Sequence, residues 1–153
     1  MLLSLFIPLL SEERGYQFPD HHTLFNYELN RLCKKSTHIQ IITPSFNHAV
    51  LKKGILKGAT KGSKVTLVVN DPQGDPLSMI QYEGVNLYTY SNPLKQSIFM
   101  IDDILTCTLD GNINQESFES NKLLIRCSDD PNKIRAIKHA LEPILRQAKS
   151  YLE

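Results

Sequence analysis

Apolar residues along this chain recur with two periods, and their alternation predicts the order of elements. Residues 1–10 (MLLSLFIPLL) are almost wholly apolar, and 11–19 are polar and read as a turn. Leu24, Phe25, Leu29 and Leu32 then fall at helical spacing, with Asp20 placed to cap that helix. The run 37–43 (THIQIIT) alternates and then turns apolar, which predicts a strand ended by Pro44. A second helix is expected over about 46–60. Ser45 stands at its start, Val50, Leu51, Ile55, Leu56 and Ala59 form its inner face, and Gly62 is its stop. The continuous apolar run 65–69 (VTLVV) suits a strand covered on both faces.

Residues 70–76 (NDPQGDP) form a loop by composition, and a short helix over about 77–82 leads through Gly84 to a strand at 85–90. After Ser91-Asn92-Pro93 come two β-type runs, 97–101 and 104–109, separated by Asp102-Asp103. The stretch 111–120 is polar, and Leu123, Leu124 and Ile125 suggest a further strand. Ser128 or Asp129 is placed to cap a last helix, with Pro131 in its first turn. That helix carries Ile134, Ile137, Leu141, Ile144, Leu145 and Ala148, and Pro143 is expected to kink or split it. Early β-α-β units imply an α/β fold: a mixed, mostly parallel β-sheet with helices on both faces. One domain is expected over 20–153, preceded by an apolar segment and linker at 1–19.

The chain has 153 residues, enough for one self-sufficient core. At 41% hydrophobic and 22% charged it has the composition of an ordinary globular domain. A net charge of +1 is too small to drive nucleic-acid binding by itself, which leaves only local patches. Lys52, Lys53, Lys57, Lys61 and Lys64 recur along one stretch, and Lys133, Arg135 and Lys138 along another; the plain reading of both is a solvated helix face. The three cysteines form no CxxC pair and have no histidine at metal-ligand spacing. Cys107 and Cys127 lie in apolar runs and read as buried free thiols, and the odd count argues against a disulfide framework. Residues 1–10 lack a basic flank and are too short to span a bilayer. They read either as the stub of an export signal or membrane anchor, or as a first strand or docking arm. The compartment, cytoplasmic or exported, turns on that choice.

Thr43-Pro44-Ser45-Phe46 has a strand ending in a small polar turn before a lysine-rich helix, and the runs ILKGATKGSKVTLVVND (55–71) and EGVNLYTYSN (83–92) follow it. These phrases resemble the phospholipase D superfamily, in particular its small single-motif endonuclease-like members; 55–71 is similar to the family's helix-Gly-strand phrase and 83–92 to its next strand. SIFMIDD (97–103) stands where the family carries H-x-K-x-x-x-x-D, and GNIN (111–114) where it carries G-S-x-N. With Asp102 as the motif aspartate, the histidine position holds Lys95 and the lysine position Ser97. The motif serine becomes Asn112, Asn114 keeps the asparagine, and an expected glutamate becomes Asn121.

In that superfamily a histidine attacks phosphorus, and a second motif copy protonates the leaving oxygen. Single-copy members dimerise to bring the two motifs together. The resemblance therefore implies a homodimer, or a heterodimer with a related domain. The chemistry needs an imidazole that is nucleophilic near neutral pH. Lys95 stays cationic there and can hold a phosphate only as a point charge, while Asn112 and Asn114 can donate to oxyanions. These residues describe a phosphate-binding pocket without a nucleophile, which suggests a degenerate, non-catalytic binding or scaffold protein for phosphate-bearing ligands or nucleic acid. Two alternatives stand beside it: a phosphodiesterase with a rearranged site that borrows a histidine such as His48, and an exported or membrane-associated α/β module. Each residue also has a plainer reading. Asp102-Asp103 and Gly111-Asn112 suit turns, Lys95 a solvated edge position, and His21, His22, His38 and His48 structural or surface roles. No metal or cofactor motif is present.

Overall fold

The computed structural model describes residues 13–120 and 122–152. The chain runs through β1 (Glu13–Gln17), α1 (His22–Lys35), β2 (His38–Thr43), β3 (Phe46–Asn47), α2 (Ala49–Thr60), β4 (Lys64–Val69) and α3 (Asp75–Met79). It continues through β5 (Val85–Thr89), β6 (Gln96–Ile101), β7 (Leu105–Asp110), β8 (Ile113–Asn114), α4 (Gln115–Phe118), β9 (Leu124–Ser128), α5 (Pro131–Gln147) and β10 (Lys149–Ser150).

Eight of the strands form one sheet in the order β1-β9-β7-β6-β2-β4-β5-β10. The α/β class, the mixed sheet and the helices on both faces are as expected. The share of parallel pairing is a correction: β2-β4 and β4-β5 are parallel, and every other pair in this sheet is antiparallel. The reason is the connections. Helices α2 and α3 carry the chain back to the starting edge and enforce parallel neighbours, whereas β6 and β7 are joined by a tight turn that permits only an antiparallel hairpin.

Side chains of the central strands alternate between two cores, as the pleat requires. Ile39 and Ile41 of β2, Val65, Leu67 and Val69 of β4, and Phe99 and Ile101 of β6 face α1 and α2, where Phe25, Leu29, Leu51 and Ile55 meet them. Ile42, Val68 and Met100 face the opposite way, onto Leu141, Ile137 and Ile144 of α5.

Helix starts differ from the sequence expectation. No side-chain cap closes α1: Asp20 lies before it, and His21 instead accepts a hydrogen bond from the Gln17 N–H through Nδ1 at 2.9 Å. Helix α2 begins only after Phe46–Asn47 have paired with Ile113–Asn114. Its cap is therefore His48, whose Nδ1 accepts from the Leu51 N–H at 3.2 Å, and not Ser45. Asp130, rather than Ser128 or Asp129, caps α5 by accepting from the Asn132 N–H at 3.0 Å. That helix is not split: it runs continuously through Pro143, which lies on its exposed side. Residues 13–17, expected as turn, form the edge strand β1 against β9. The cysteine reading is also corrected: Cys107 and Cys127 are register partners on β7 and β9 and form a disulfide. Cys33 is the free thiol, and burial pushes its pKa up to about 12. The apolar run 1–10 lies outside the described residues. No helix among the described residues is long and apolar enough to cross a membrane.

Helices α1 and α2 cross closely because α2 carries Gly54 and Gly58 one turn apart on its contact side. A methyl group at Gly58 would stand 2.7 Å from the backbone carbonyl oxygen of Cys33, and one at Gly54 would overlap the Asn30 side chain. In a free helix, glycine to alanine adds about 1 kcal/mol of stability. Here the obstacle at Gly58 is backbone, which cannot swing aside, so overpacking outweighs propensity. Gly58→Ala is expected to lower the unfolding free energy by about 1–3 kcal/mol, read from the shift of the urea midpoint at unchanged slope.

Candidate functional site

Three strand ends converge at one edge of the sheet. The carboxyl ends of β2, β4 and β5 point there, beside the start of β6 and the turn after β7, and loops at such an edge are where open α/β sheets bind ligands. Asn70, just past β4, organises the loop above it. Its amide donates to the carbonyls of Tyr90 and Asn92 at 2.8 Å each, and its Oδ1 accepts from the Leu94 N–H at 2.8 Å. This fixes the approach to Lys95.

Lys95 is exposed at this edge, and its carbonyl accepts from the Gly111 N–H at 3.0 Å. Two residues on, Ser97 is fully buried. Its hydroxyl lies 2.5 Å from the Gly111 carbonyl oxygen and 2.7 Å from the Thr43 hydroxyl, which in turn lies 2.8 Å from the Ser45 carbonyl oxygen. Two hydroxyl protons thus serve three contacts, in a chain that carries no charge. Gly111 takes a positive φ of 86° that turns the chain toward β8. Asn112 follows it and is half-buried, and the Ile113 N–H donates to the Ser45 carbonyl at 3.3 Å. Asn114 is committed to local structure as the cap of α4, accepting from the Ser117 N–H at 2.7 Å.

Lys95, Ser97, Gly111 and Asn112 are thus brought together, with Asn114 at the neighbouring β3–β8 bridge. Asp102 is not. It stands at the far end of β6, seven residues from Lys95, a span of roughly 23 Å in an extended strand. There it takes a φ of 48° in the hairpin turn and accepts from the Thr37 N–H, the Thr37 hydroxyl and the His38 N–H. Partial desolvation would raise its pKa, but these hydrogen bonds outweigh it and hold the carboxyl below its usual range. Asn121 lies outside the described residues. Thr43 is the site residue that sequence reasoning missed. Its signal was a lone hydroxyl at the end of the apolar run IQII, where a partner across the sheet was needed.

His48 is fully buried against Phe118, with ring centroids 4.5 Å apart. Because Nδ1 accepts from Leu51, the neutral ring carries its proton on Nε2, which lies 3.4 Å from Nε2 of His22. Both ring nitrogens are therefore occupied within the α1–α2–α4 junction. Burial, reinforced by the neighbouring His22, pushes the His48 pKa down to about 4. Among the described residues, no three histidine, cysteine or carboxylate side chains gather as metal ligands would.

Two consequences are measurable. Ser97→Ala leaves the Gly111 carbonyl without its buried donor and is expected to cost about 1–3 kcal/mol of stability, seen in chemical denaturation. The second concerns pH. The folded His48 pKa is depressed below the ordinary 6.5, so the unfolded state takes up protons first, and stability present above pH 6.5 is lost as the pH falls toward 4. His38, whose pKa is also lowered by burial and by Lys64, adds in the same direction. Between pH 6.5 and 5 the His48 contribution should be about 1–2 kcal/mol. His48→Asn keeps a capping side chain, so its unfolding free energy should fall less steeply over that interval than that of the parent protein.

No protein-family model and no curated protein matches this sequence. Solved structures do. NucT from Helicobacter pylori superposes with a TM-score of 0.82 at 18% identity, over 93% of this chain and 100% of its own. Nuc from Salmonella typhimurium, a phospholipase D family member, gives a TM-score of 0.77 at 15% identity, over 93% of this chain and 99% of its own. TrmBL2, an archaeal chromatin protein described with a novel mode of DNA binding, gives 0.65 at 15% identity, over 97% of this chain and 59% of its own. At such identities the likeness speaks for architecture, and on that basis this chain has the phospholipase D superfamily fold.

Proposed function

We propose that this protein is a non-hydrolytic phospholipase D-type domain that binds phosphate-bearing ligands at the Lys95 edge and associates with a second such domain. The observation that carries this reading is the state of Ser97. Where the superfamily resemblance calls for a lysine facing the phosphoryl oxygens, a buried hydroxyl is held between Thr43 and Gly111 and offers no charge. The position of the nucleophile holds Lys95, an exposed side chain that attracts anions and replaces the imidazole that would attack phosphorus. Loss of one group from a catalytic unit of this kind removes most of its rate. The engagement of both His48 ring nitrogens within its own junction weighs against the rearranged-site alternative.

The purified protein is expected to leave bis(p-nitrophenyl) phosphate and supercoiled plasmid DNA uncleaved over hours, with rates no greater than buffer. Turnover that survives repurification and disappears in Lys95→Ala would overturn the proposal. Turnover that disappears only in His48→Asn would establish the rearranged-site enzyme in its place.

A further inference from the structure

A second surface, separate from the Lys95 edge, lies where α1 and α2 cross. Lys53 and Lys57 of α2 and Lys61 at its C-cap recur every fourth residue and so form a stripe, with one charge every ~6 Å of helix. The close helix crossing that Gly54 and Gly58 permit brings Lys34, near the end of α1, against the same stripe. The result is an open groove of about 660 Å³, to which these four lysines, Leu56 and Tyr82 contribute. All four lysines are exposed, and Tyr82 keeps 45% of its surface accessible.

The charge balance of this groove is unusual. Helix α2 contains no acidic residue, and no carboxylate lines the groove. Lys52, beside the stripe, is neutralised by Asp75 at 3.3 Å, whereas none of the ion pairs among the described residues includes Lys34, Lys53, Lys57 or Lys61. Lysines four apart on one helix face repel, and a helix face that serves only solubility mixes in glutamates at that spacing. Here the repulsion is left uncompensated in a chain whose net charge is only +1.

We propose that this groove binds single-stranded nucleic acid, with the lysine stripe following successive phosphates and Tyr82 stacking on a base. Two features select a single strand. The lysines recur in a line along the open groove, as needed to track one backbone. The exposed aromatic ring beside them offers a stacking platform that paired bases cannot use. This assignment does not rest on the reading of the Lys95 edge.

The test is fluorescence anisotropy of the full chain with labelled oligothymidylate across a salt series. Four phosphate contacts predict a slope of log K against log salt of about −3, and roughly 50-fold weaker binding at 200 mM than at 50 mM salt. Lys53→Ala/Lys57→Ala/Lys61→Ala should flatten the slope to about −0.7. Tyr82→Ala should weaken binding of the single strand while leaving the slope unchanged, and duplex of the same length should bind less tightly. Absence of binding, or binding that the triple variant leaves intact, would overturn the proposal. So would a loss on Lys95→Ala equal to that of the triple variant, which would move the ligand to the other surface. Retention on vesicles of phosphatidylserine and phosphatidylcholine without oligonucleotide binding would assign the groove to an anionic membrane and equally overturn it.

Discussion

The structure depends on the pairing of β2, which has a parallel neighbour, β4, on one edge and an antiparallel neighbour, β6, on the other. Its isoleucines supply both cores, Ile39 and Ile41 to the α1–α2 side and Ile42 to the α5 side. With both faces covered, register is strongly specified, because a slip of one residue would exchange the two faces. That register sets Ile42 against Ile98, and so carries Thr43 to the level of Ser97 and the turn at Gly111. The polar chain at the candidate site is thus a consequence of apolar packing several residues away. Asp102 serves the same alignment from the other end, where its carboxylate gathers the backbone N–H groups that open β2.

The two ends of β6 therefore do different work. At one end a carboxylate in a left-handed conformation fixes the hairpin and takes no part in the site. At the other, Lys95 is held by backbone contacts and its side chain projects into solvent, while Ser97 is withdrawn into the protein. On the proposed reading this exposed cation attracts an anion reversibly, whereas covalent chemistry needs a nucleophile whose pKa matches its task. The buried imidazole of His48 is used to start α2, and burial pushes its pKa down to about 4.

Charge is distributed with similar economy. The chain is close to neutral as a whole, yet its unpaired lysines on α1 and α2 are gathered by a helix crossing that only glycines allow. Linear spacing shows the stripe on α2. The approach of Lys34 is a tertiary event, because it requires Gly58 to meet the Cys33 carbonyl.

Periodicity determined most elements of this protein from the sequence alone. The runs 37–43, 65–69, 85–90, 97–101 and 104–109 are strands because each is short, apolar and bounded by turn residues, and the helices with apolar stripes are helices for the matching reason. That Lys95 and Ser97 stand where the resemblance calls for a histidine and a lysine is a reading from identity and spacing alone. What needed the folded chain were properties defined by partners distant in sequence. The strand β1 is too polar to announce itself and exists because β9 offers it an edge. The cap of α2 passed from Ser45 to His48 because Phe46 and Asn47 were taken by β8. Cys107 and Cys127 are twenty residues apart and meet only through the β7–β9 register. Thr43 became part of the candidate site because a neighbouring strand placed Ser97 beside it. Local spacing fixes which elements form, and the pairing of strands decides which side chains face one another.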